Sequence, residues 1–268
     1  FFPPKTPAGR DRLGETRTQL ATLQPAFFSV TYGAGGSTRG TTTQAVADIH
    51  NAGSSVAPHL SFGGHGEDVV AGLLDDYQGM GIDRLVALRG DLPSGMGGTS
   101  QLIHADSLVS FIRKYSGGHF QIEVAAYPET HPEALSYDRD IDYLKGKFDA
   151  GANSAITQYF FNVDAYFYFL DRCLDRGIEN PIYPGIMPII NFATLKRFSR
   201  NCGADIPRWI SSRIDGYGDD QESIRAFGVE VVTQLCETLI ANGAPGLHFY
   251  TMNQVEPTRS ICTGLRLA

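Results

Sequence analysis

The chain has 268 residues, of which 42% are hydrophobic and 19% are charged, a balance typical of a globular protein with a large core. Its formal net charge of −7 at pH 7 argues against a nucleic-acid backbone as the main partner. No run approaches the roughly 18 apolar residues of a membrane span, and no signal peptide is visible, so we expect a cytoplasmic protein.

Apolar runs alternate along the chain with segments that have helical spacing of apolar residues. Seven of the runs predict strands: Ala26–Tyr32, Ser55–Ser61, Arg84–Arg89, Gln121–Tyr127, Ser154–Phe160, Pro181–Pro188 and Gly246–Tyr250. The clearest helix is Asp219–Ala241, which begins at two acidic residues and stops before Gly243. One stripe of this helix carries Ile224, Phe227, Val231, Leu235 and Leu239.

The number of alternations indicates the fold. A strand tail at Phe1–Pro4 would make eight strand–helix units in 268 residues. Eight units predict an α/β protein with a (β/α)8 TIM-type barrel, a single domain over residues 1–268. A doubly wound parallel sheet stays open as the alternative, although no G-x-G-x-x-G sequence follows the first predicted strand.

Mostly polar and aromatic residues follow the ends of the predicted strands, where a parallel barrel builds its active site. They are Thr31, Tyr32, Gly33, His59, Arg89, Gly90, Asp91, Tyr127, Glu129, His131, Gln158, Tyr250 and Asn253. Periodicity leaves open whether Gln158 points inward or into the helical layer.

The chain lacks the motifs of several common kinds of active site. We find no HxxxH or HExxH, no acidic cluster with metal-ligand spacing, no G-x-S-x-G and no lysine at a strand end. The cysteines form no C-x-x-C pair, so we expect buried thiols in a reducing compartment. They are Cys173, Cys202, Cys236 and Cys262. Hydrogen-bonding and aromatic groups without a metal or a nucleophile suit a planar organic cofactor.

Several of these residues also have a structural interpretation that the sequence leaves open. His59 follows a proline and could be a structural histidine. Tyr127 and Tyr250 could cap the core with their hydroxyls at its rim. Arg89 and Asp91 could form a salt bridge where their strand ends.

Nine short segments, in order and in register, carry a specific resemblance. They are Phe1–Thr6, Ser29–Ala34, Ala57–Leu60, Leu88–Asp91, Ala126–Glu129, Asp149–Ala152, Ile156–Phe161, Pro184–Pro188 and His248–Asn253. Together they resemble the methylenetetrahydrofolate reductase family in its short bacterial form, over essentially the whole chain.

The resemblance implies a (β/α)8 barrel with non-covalent FAD that reduces 5,10-methylenetetrahydrofolate to 5-methyltetrahydrofolate, a step of one-carbon metabolism and methionine biosynthesis. The implied mechanism is ping-pong: NADH or NADPH gives a hydride to flavin N5 and leaves, and folate then accepts it in the same site. Opening of the folate ring to an iminium needs a general acid. The family places that glutamate just before the segment that begins at Phe1, so we expect a first strand truncated in this sequence.

The resemblance also implies the site residues. Those implied to bind FAD are Thr31, Tyr32, Ala34, His59, Arg89, Gly90, Asp91, His104, Ala105, Tyr127, His131, Asp140, Tyr143 and Lys147. Those implied to bind substrate are Asp91, Gln158, Thr194, Phe198, Tyr250 and Gln254. Asp91 and Gln158 are the implied catalytic pair: Asp91 favours the cationic iminium and Gln158 bonds the pterin. Phe198 is implied to lie against the nicotinamide or the aminobenzoate ring.

Three positions depart from the family pattern. Gly146 stands where an arginine is common, His104 where a tyrosine occurs, and Gln254 where an arginine can meet the folate tail. Two other functions stay open: a flavin-binding barrel that receives electrons from a partner protein, and a non-catalytic folate- or flavin-binding homologue. The resemblance suggests a homo-oligomer and leaves the choice of nicotinamide open.

Overall fold

The structure, a computed structural model, describes residues 1–33, 37–62, 66–90 and 104–267. The chain forms two compact units. The first unit is Phe1–Ala125 with Gly146–Ser154, and the second is Ala126–Lys145 with Ala155–Ala268. The single domain and the closed (β/α)8 barrel stay predictions.

The first unit alternates helices and strands. Its elements are α1 (Pro7–Ala21), β1 (Phe28–Val30), α2 (Arg39–Asn51), β2 (Val56–Leu60), α3 (Glu67–Gly79), β3 (Arg84–Ala87), α4 (Ala105–Ser116) and β4 (Gln121–Ala126). The strands pair in chain order, and each pairing is parallel. A helix between successive strands is the connection that parallel pairing needs.

The rest of the chain continues the alternation. Its elements are α5 (Tyr137–Asp149), β5 (Ser154–Tyr159), α6 (Val163–Asp175), β6 (Ile182–Ile186), α7 (Phe192–Cys202), α8 (Arg208–Gly216), α9 (Gln221–Ala241), β7 (His248–Phe249) and α10 (Thr258–Gly264). In the second unit β5, β6 and β7 also pair in chain order and in parallel. Among the described helices, none is long and apolar enough to cross a bilayer.

All seven predicted strands are present, and each is shorter than predicted at one or both ends. The segment at Phe1–Pro4 is not a strand in the structure, but Phe1 forms one parallel rung beside β1. Its amino group donates to Ser29 O at 2.6 Å, and Thr31 N donates to Phe1 O at 2.8 Å. The Phe1 ring stacks on Phe28 at 5.1 Å between centroids.

The predicted helix at 219–241 is α9, and the Asp220 carboxylate caps it by accepting two backbone N–H bonds at 3.1 Å. Four of the five predicted stripe residues are buried, and the fifth, Phe227, is not fully buried. Phe227 is half-buried and contacts the ring of Trp209. The next residue, Gly228, is buried, and a Cβ at this position would lie only 2.9 Å from Ile189 Cβ.

One buried ion pair lies within the first unit. Glu123 of β4 has no exposed surface, pairs with Arg84 of β3 and accepts a hydrogen bond from Ser154 Oγ. The Arg84 guanidinium also lies 4.8 Å from the centroid of the Phe27 ring. A buried carboxylate needs such partners, which explains how a charged residue fits into an otherwise apolar strand.

The four cysteines are free thiols. Cys173, Cys236 and Cys262 are buried as expected, whereas Cys202 is half-buried. Burial raises the pKa of the Cys173 and Cys236 thiols to about 12, so neither forms a thiolate at neutral pH.

His248 on β7 predicts how stability depends on pH. Burial lowers the pKa of its imidazole from 6.5 to about 4. Between pH 4 and 6.5 this residue therefore binds more protons in the unfolded chain, so its contribution to the free energy of unfolding rises with pH there and levels off above 6.5. We expect His248→Gln to flatten this part of the profile by at most about 3 kcal/mol. Urea unfolding across this range checks the difference, and parallel profiles for the two proteins would contradict it.

Candidate active site

In the first unit, two hydroxyl groups hold the turn after β1: one belongs to Thr38, immediately before α2, and the other to Thr42 within α2. Gly33 N donates to Thr38 Oγ1 at 2.7 Å, and Thr42 Oγ1 donates to Thr31 O at 3.0 Å. A Cβ on Gly33 would lie 2.8 Å from Thr38 Cγ2, so the turn needs glycine at this point. These bonds fix the backbone on either side of Tyr32.

The Tyr32 hydroxyl is buried and has no hydrogen-bond partner within the part of the chain that the structure describes. Burial raises the pKa of Tyr32, and the nearby charge of Arg39 opposes this shift. The phenol is therefore protonated at neutral pH. A buried donor of this kind costs free energy unless a ligand or another group accepts its hydrogen bond.

The ends of β2 and β3 carry the next predicted residues. His59 lies in β2, paired with Val86 of β3 and half-buried. The ladder extends past β3, because Leu88 N donates to Leu60 O at 2.9 Å immediately before Arg89. Gly90 has φ +85°, a conformation that favours glycine. Ala34 and Asp91 lie outside the described residues, and so does the alternative salt bridge of Arg89 with Asp91.

Three further predicted cofactor residues lie at or near helix ends in the first unit. His104 is the residue before α4, and the buried Ala105 is the first residue of that helix. Lys147 of α5 donates from Nζ to Ala125 O at 2.6 Å, which places its ammonium group at β4. A Cβ at Gly146 would fit without a clash, since it would lie at an ordinary contact distance of 3.9 Å from Asp106 Oδ2.

In the second unit, the structure brings Tyr127, His131 and Asp140 together. His131 N donates to Asp140 Oδ2 at 2.7 Å, and the His131 ring meets Tyr127 edge to face at 4.6 Å between centroids. Glu133 N donates to His131 Nδ1 at 3.0 Å. A nitrogen that accepts a hydrogen bond carries no proton, so the neutral imidazole holds its proton on Nε2. Tyr143, on the adjacent helix α5, is exposed.

A β-bulge in β5 lies at the predicted substrate residue Gln158. Ile156 pairs with Tyr183 and Tyr159 with Gly185, so three steps along β5 match two along β6. Such a bulge breaks the alternation of side chains along a strand. Gln158 is half-buried between buried neighbours, and its Oε1 accepts a bond from Tyr159 N at 3.0 Å.

Thr157 holds this bulge in place. Gly185 N donates to Thr157 Oγ1 at 2.9 Å, and Tyr250 Oη donates to Thr157 O at 2.8 Å. The predicted substrate residue Tyr250 is thereby joined to the residue before Gln158. A Cβ on Gly185 would lie 2.1 Å from Thr157 O and 2.7 Å from Tyr250 Cε2, so the two strands approach this closely only at glycine.

The other predicted substrate residues lie on α7 and after β7. Thr194 N donates to the capping Asn191 Oδ1 at 2.9 Å. Phe198 follows one turn later, which puts both residues on one face of the helix, and the Arg197 guanidinium lies 5.7 Å from its ring. Gln254 is exposed.

Sequence reasoning missed Thr38, Thr42, Thr157 and Gly185 as supports of the site. One signal was available: a glycine inside a predicted strand often marks a bulge or a close approach of two backbones. The hydroxyl contacts had no such signal, since threonine is common in strands and helices alike.

These features define an α/β protein of the class that gathers its polar and aromatic groups where parallel strands end. The model of the family described as Methylenetetrahydrofolate reductase matches residues 1–266. The chain belongs to the methylenetetrahydrofolate reductase family.

Curated relatives agree with this assignment. The chain is 40% identical over 263 residues to the 5,10-methylenetetrahydrofolate reductase of Escherichia coli, covering 98% of this chain and 88% of that protein. It is 35% identical over 267 residues to methylenetetrahydrofolate reductase (NADH) 1 of Arabidopsis thaliana, covering 94% of this chain and 45% of that protein.

Solved structures share the fold. One is an uncharacterized Clostridium thermocellum protein that binds two copies of 5-methyl-5,6,7,8-tetrahydrofolic acid. It aligns with a TM-score of 0.69 at 17% identity, over 98% of this chain and 91% of that one. A thermostable aldo-keto reductase aligns with a TM-score of 0.55 at 10% identity, over 98% and 84%.

The contact at Gly185 predicts a large effect of one added methyl group. Gly185→Ala would force β5 and β6 apart or displace Tyr250, so we expect a loss of about 3 kcal/mol or more in unfolding free energy. Gly72→Ala in α3 is the control: a Cβ there meets open space, and alanine favours the helix, so we expect a gain of up to about 1 kcal/mol. Urea unfolding measures the unfolding free energy of both variants. Equal changes in the two would contradict the claim that the close contact at Gly185 requires glycine.

Proposed function

We propose that this chain reduces 5,10-methylenetetrahydrofolate to 5-methyltetrahydrofolate, with bound FAD and with NADH or NADPH as the electron source. The observation that carries the proposal is its 40% identity over 98% of its length to a 5,10-methylenetetrahydrofolate reductase. The proposal keeps the (β/α)8 barrel that the sequence predicts. It also includes the cytoplasmic location that the sequence predicts and the homo-oligomer that the resemblance suggests.

The residues at the strand ends fit a flavin. When bound, FAD supplies the chemistry of accepting a hydride from the nicotinamide and passing it to folate. The buried Tyr32 hydroxyl, which has no partner among the described residues, offers a donor to such a ligand. His131 presents a fixed Nε2–H, and Lys147 adds a cation suited to a phosphate. The full set proposed to hold FAD is Thr31, Tyr32, Ala34, His59, Arg89, Gly90, Asp91, His104, Ala105, Tyr127, His131, Asp140, Tyr143 and Lys147.

Apart from Asp91, the residues proposed to act on folate belong to the second unit. Gln158, set by the bulge in β5, would hydrogen-bond the pterin, and Tyr250 would form a neighbouring wall. Phe198 on α7 would lie against the nicotinamide or the aminobenzoate ring. Thr194 and Gln254 are proposed to contact the rest of the folate, and Asp91 to favour the cationic iminium by its charge.

Anaerobic mixing tests the proposal in two halves. The purified protein should be yellow, and NADH or NADPH should bleach its flavin absorption. Adding 5,10-methylenetetrahydrofolate should then restore the colour and yield 5-methyltetrahydrofolate.

The outcomes separate the competing functions. If neither nicotinamide bleaches the flavin but a chemical reductant does, and folate restores the colour, the protein receives electrons from a partner. If folate binds and never restores the colour, the chain is a non-catalytic binding protein. A colourless protein that binds no FAD contradicts the proposal altogether.

Asp91→Asn separates the two half-reactions. Its negative charge is proposed to assist folate reduction, so the variant should slow that step by roughly 10²-fold. Reduction of the flavin by nicotinamide should change much less. Single-turnover stopped-flow measurements of each step check this. An equal loss in both steps would mean that Asp91 is only structural. Asp171→Asn, at an exposed position of α6, is the matched carboxylate-to-amide control.

A further inference from the structure

One end of α7 is tied to β5 through a buried hydroxyl. Tyr159, the last residue of β5, places its Oη 3.0 Å from Ser199 Oγ on α7. The Cys202 thiol, at the end of the same helix, donates to that Tyr159 oxygen at 3.5 Å. Tyr159 and Ser199 are both buried, so water does not compete for this bond.

The same end of α7 is attached at a second place. Glu129 Oε2, in the loop after β4, accepts a bond from Asp205 N at 2.8 Å. Gly203 ends the helix with φ +78°, and a Cβ there would lie 3.0 Å from Pro132 Cγ. The loop after β4 thus holds the chain beyond the helix, and Tyr159 holds the helix itself.

The tied residues are direct neighbours of the proposed folate residues. Tyr159 follows Gln158 in β5, and Ser199 follows Phe198 in α7. The bond between Tyr159 and Ser199 therefore limits how far the backbones that carry Gln158 and Phe198 can move apart. Burial raises the pKa of Tyr159, so its hydroxyl keeps its proton at neutral pH and the tie is permanent there.

We propose that Tyr159 is a positioning residue for folate: its hydroxyl, through Ser199, sets the spacing between Gln158 and Phe198. This inference rests on the proposed function. Two residues that bind different parts of one ligand bind it best at a fixed spacing, because small misplacements weaken binding and slow the reaction. Tyr159 itself touches no reacting atom in this scheme.

A double-mutant cycle tests the tie. Tyr159→Phe and Ser199→Ala each remove the bond from one side, and the double variant removes both partners. We expect each single variant to raise the KM for 5,10-methylenetetrahydrofolate about tenfold, with a smaller effect on kcat. The double variant should show no further rise, because the same bond is lost.

Tyr166→Phe is the matched control. The Tyr166 hydroxyl donates to Ile182 O at 2.7 Å, fully buried between α6 and β6, so the variant loses a similar bond away from α7. We expect it to lower the melting temperature about as much as Tyr159→Phe while the KM for folate stays the same. A merely structural role for Tyr159 would give the two variants the same kinetics.

The outcomes are distinct. An unchanged KM in both Tyr159→Phe and Ser199→Ala overturns the positioning role, as does a double variant whose effects simply add. A rise in KM for Tyr166→Phe equal to that for Tyr159→Phe overturns it too. If the parent protein binds FAD but never turns over 5,10-methylenetetrahydrofolate, the proposed function fails first and the inference falls with it.

Discussion

The hydrogen bonds of Thr157 are the constraint on which the second unit depends. Its hydroxyl accepts the Gly185 N–H of β6, and its carbonyl accepts the Tyr250 hydroxyl from beyond β7. Both bonds are made where β5 carries an extra residue, so they replace ladder bonds that the bulge disrupts. One residue thereby connects β5 to β6 and to the residue after β7, immediately before Gln158.

The first unit uses the same device at the end of β1. The Thr31 carbonyl is bound by the hydroxyl of Thr42, and the Gly33 N–H by that of Thr38. In both units a hydroxyl from another element takes a backbone group where the strand ladder stops. In both, a glycine permits the close approach, since an added Cβ would clash at Gly33 and at Gly185.

The sequence predicted the seven strands well because buried parallel strands are nearly continuous apolar runs. It missed the bulge because the bulge depends on contacts of Thr157 with Gly185 and Tyr250. These residues lie 28 and 93 positions further along the chain. The sequence did not show that Gly228 belongs to the buried side of α9, because the closeness of Ile189 to this position appears only in the folded chain. The site residues themselves were predicted from family resemblance. Their contacts, such as the bond from Glu133 N that fixes the tautomer of His131, are made only in the folded chain.

The role of Thr157 is tested most directly by Thr157→Val, which keeps the shape of the side chain and removes the acceptor for Gly185 N. The decisive measurement is the pair of half-reactions in stopped flow, made on protein shown to carry its full FAD content. We expect the oxidation of reduced enzyme by 5,10-methylenetetrahydrofolate to need about tenfold more folate for half its maximal rate, while reduction by nicotinamide changes less than twofold. Unchanged folate dependence in a variant of lowered melting temperature would contradict this role and leave Thr157 as a support of stability alone.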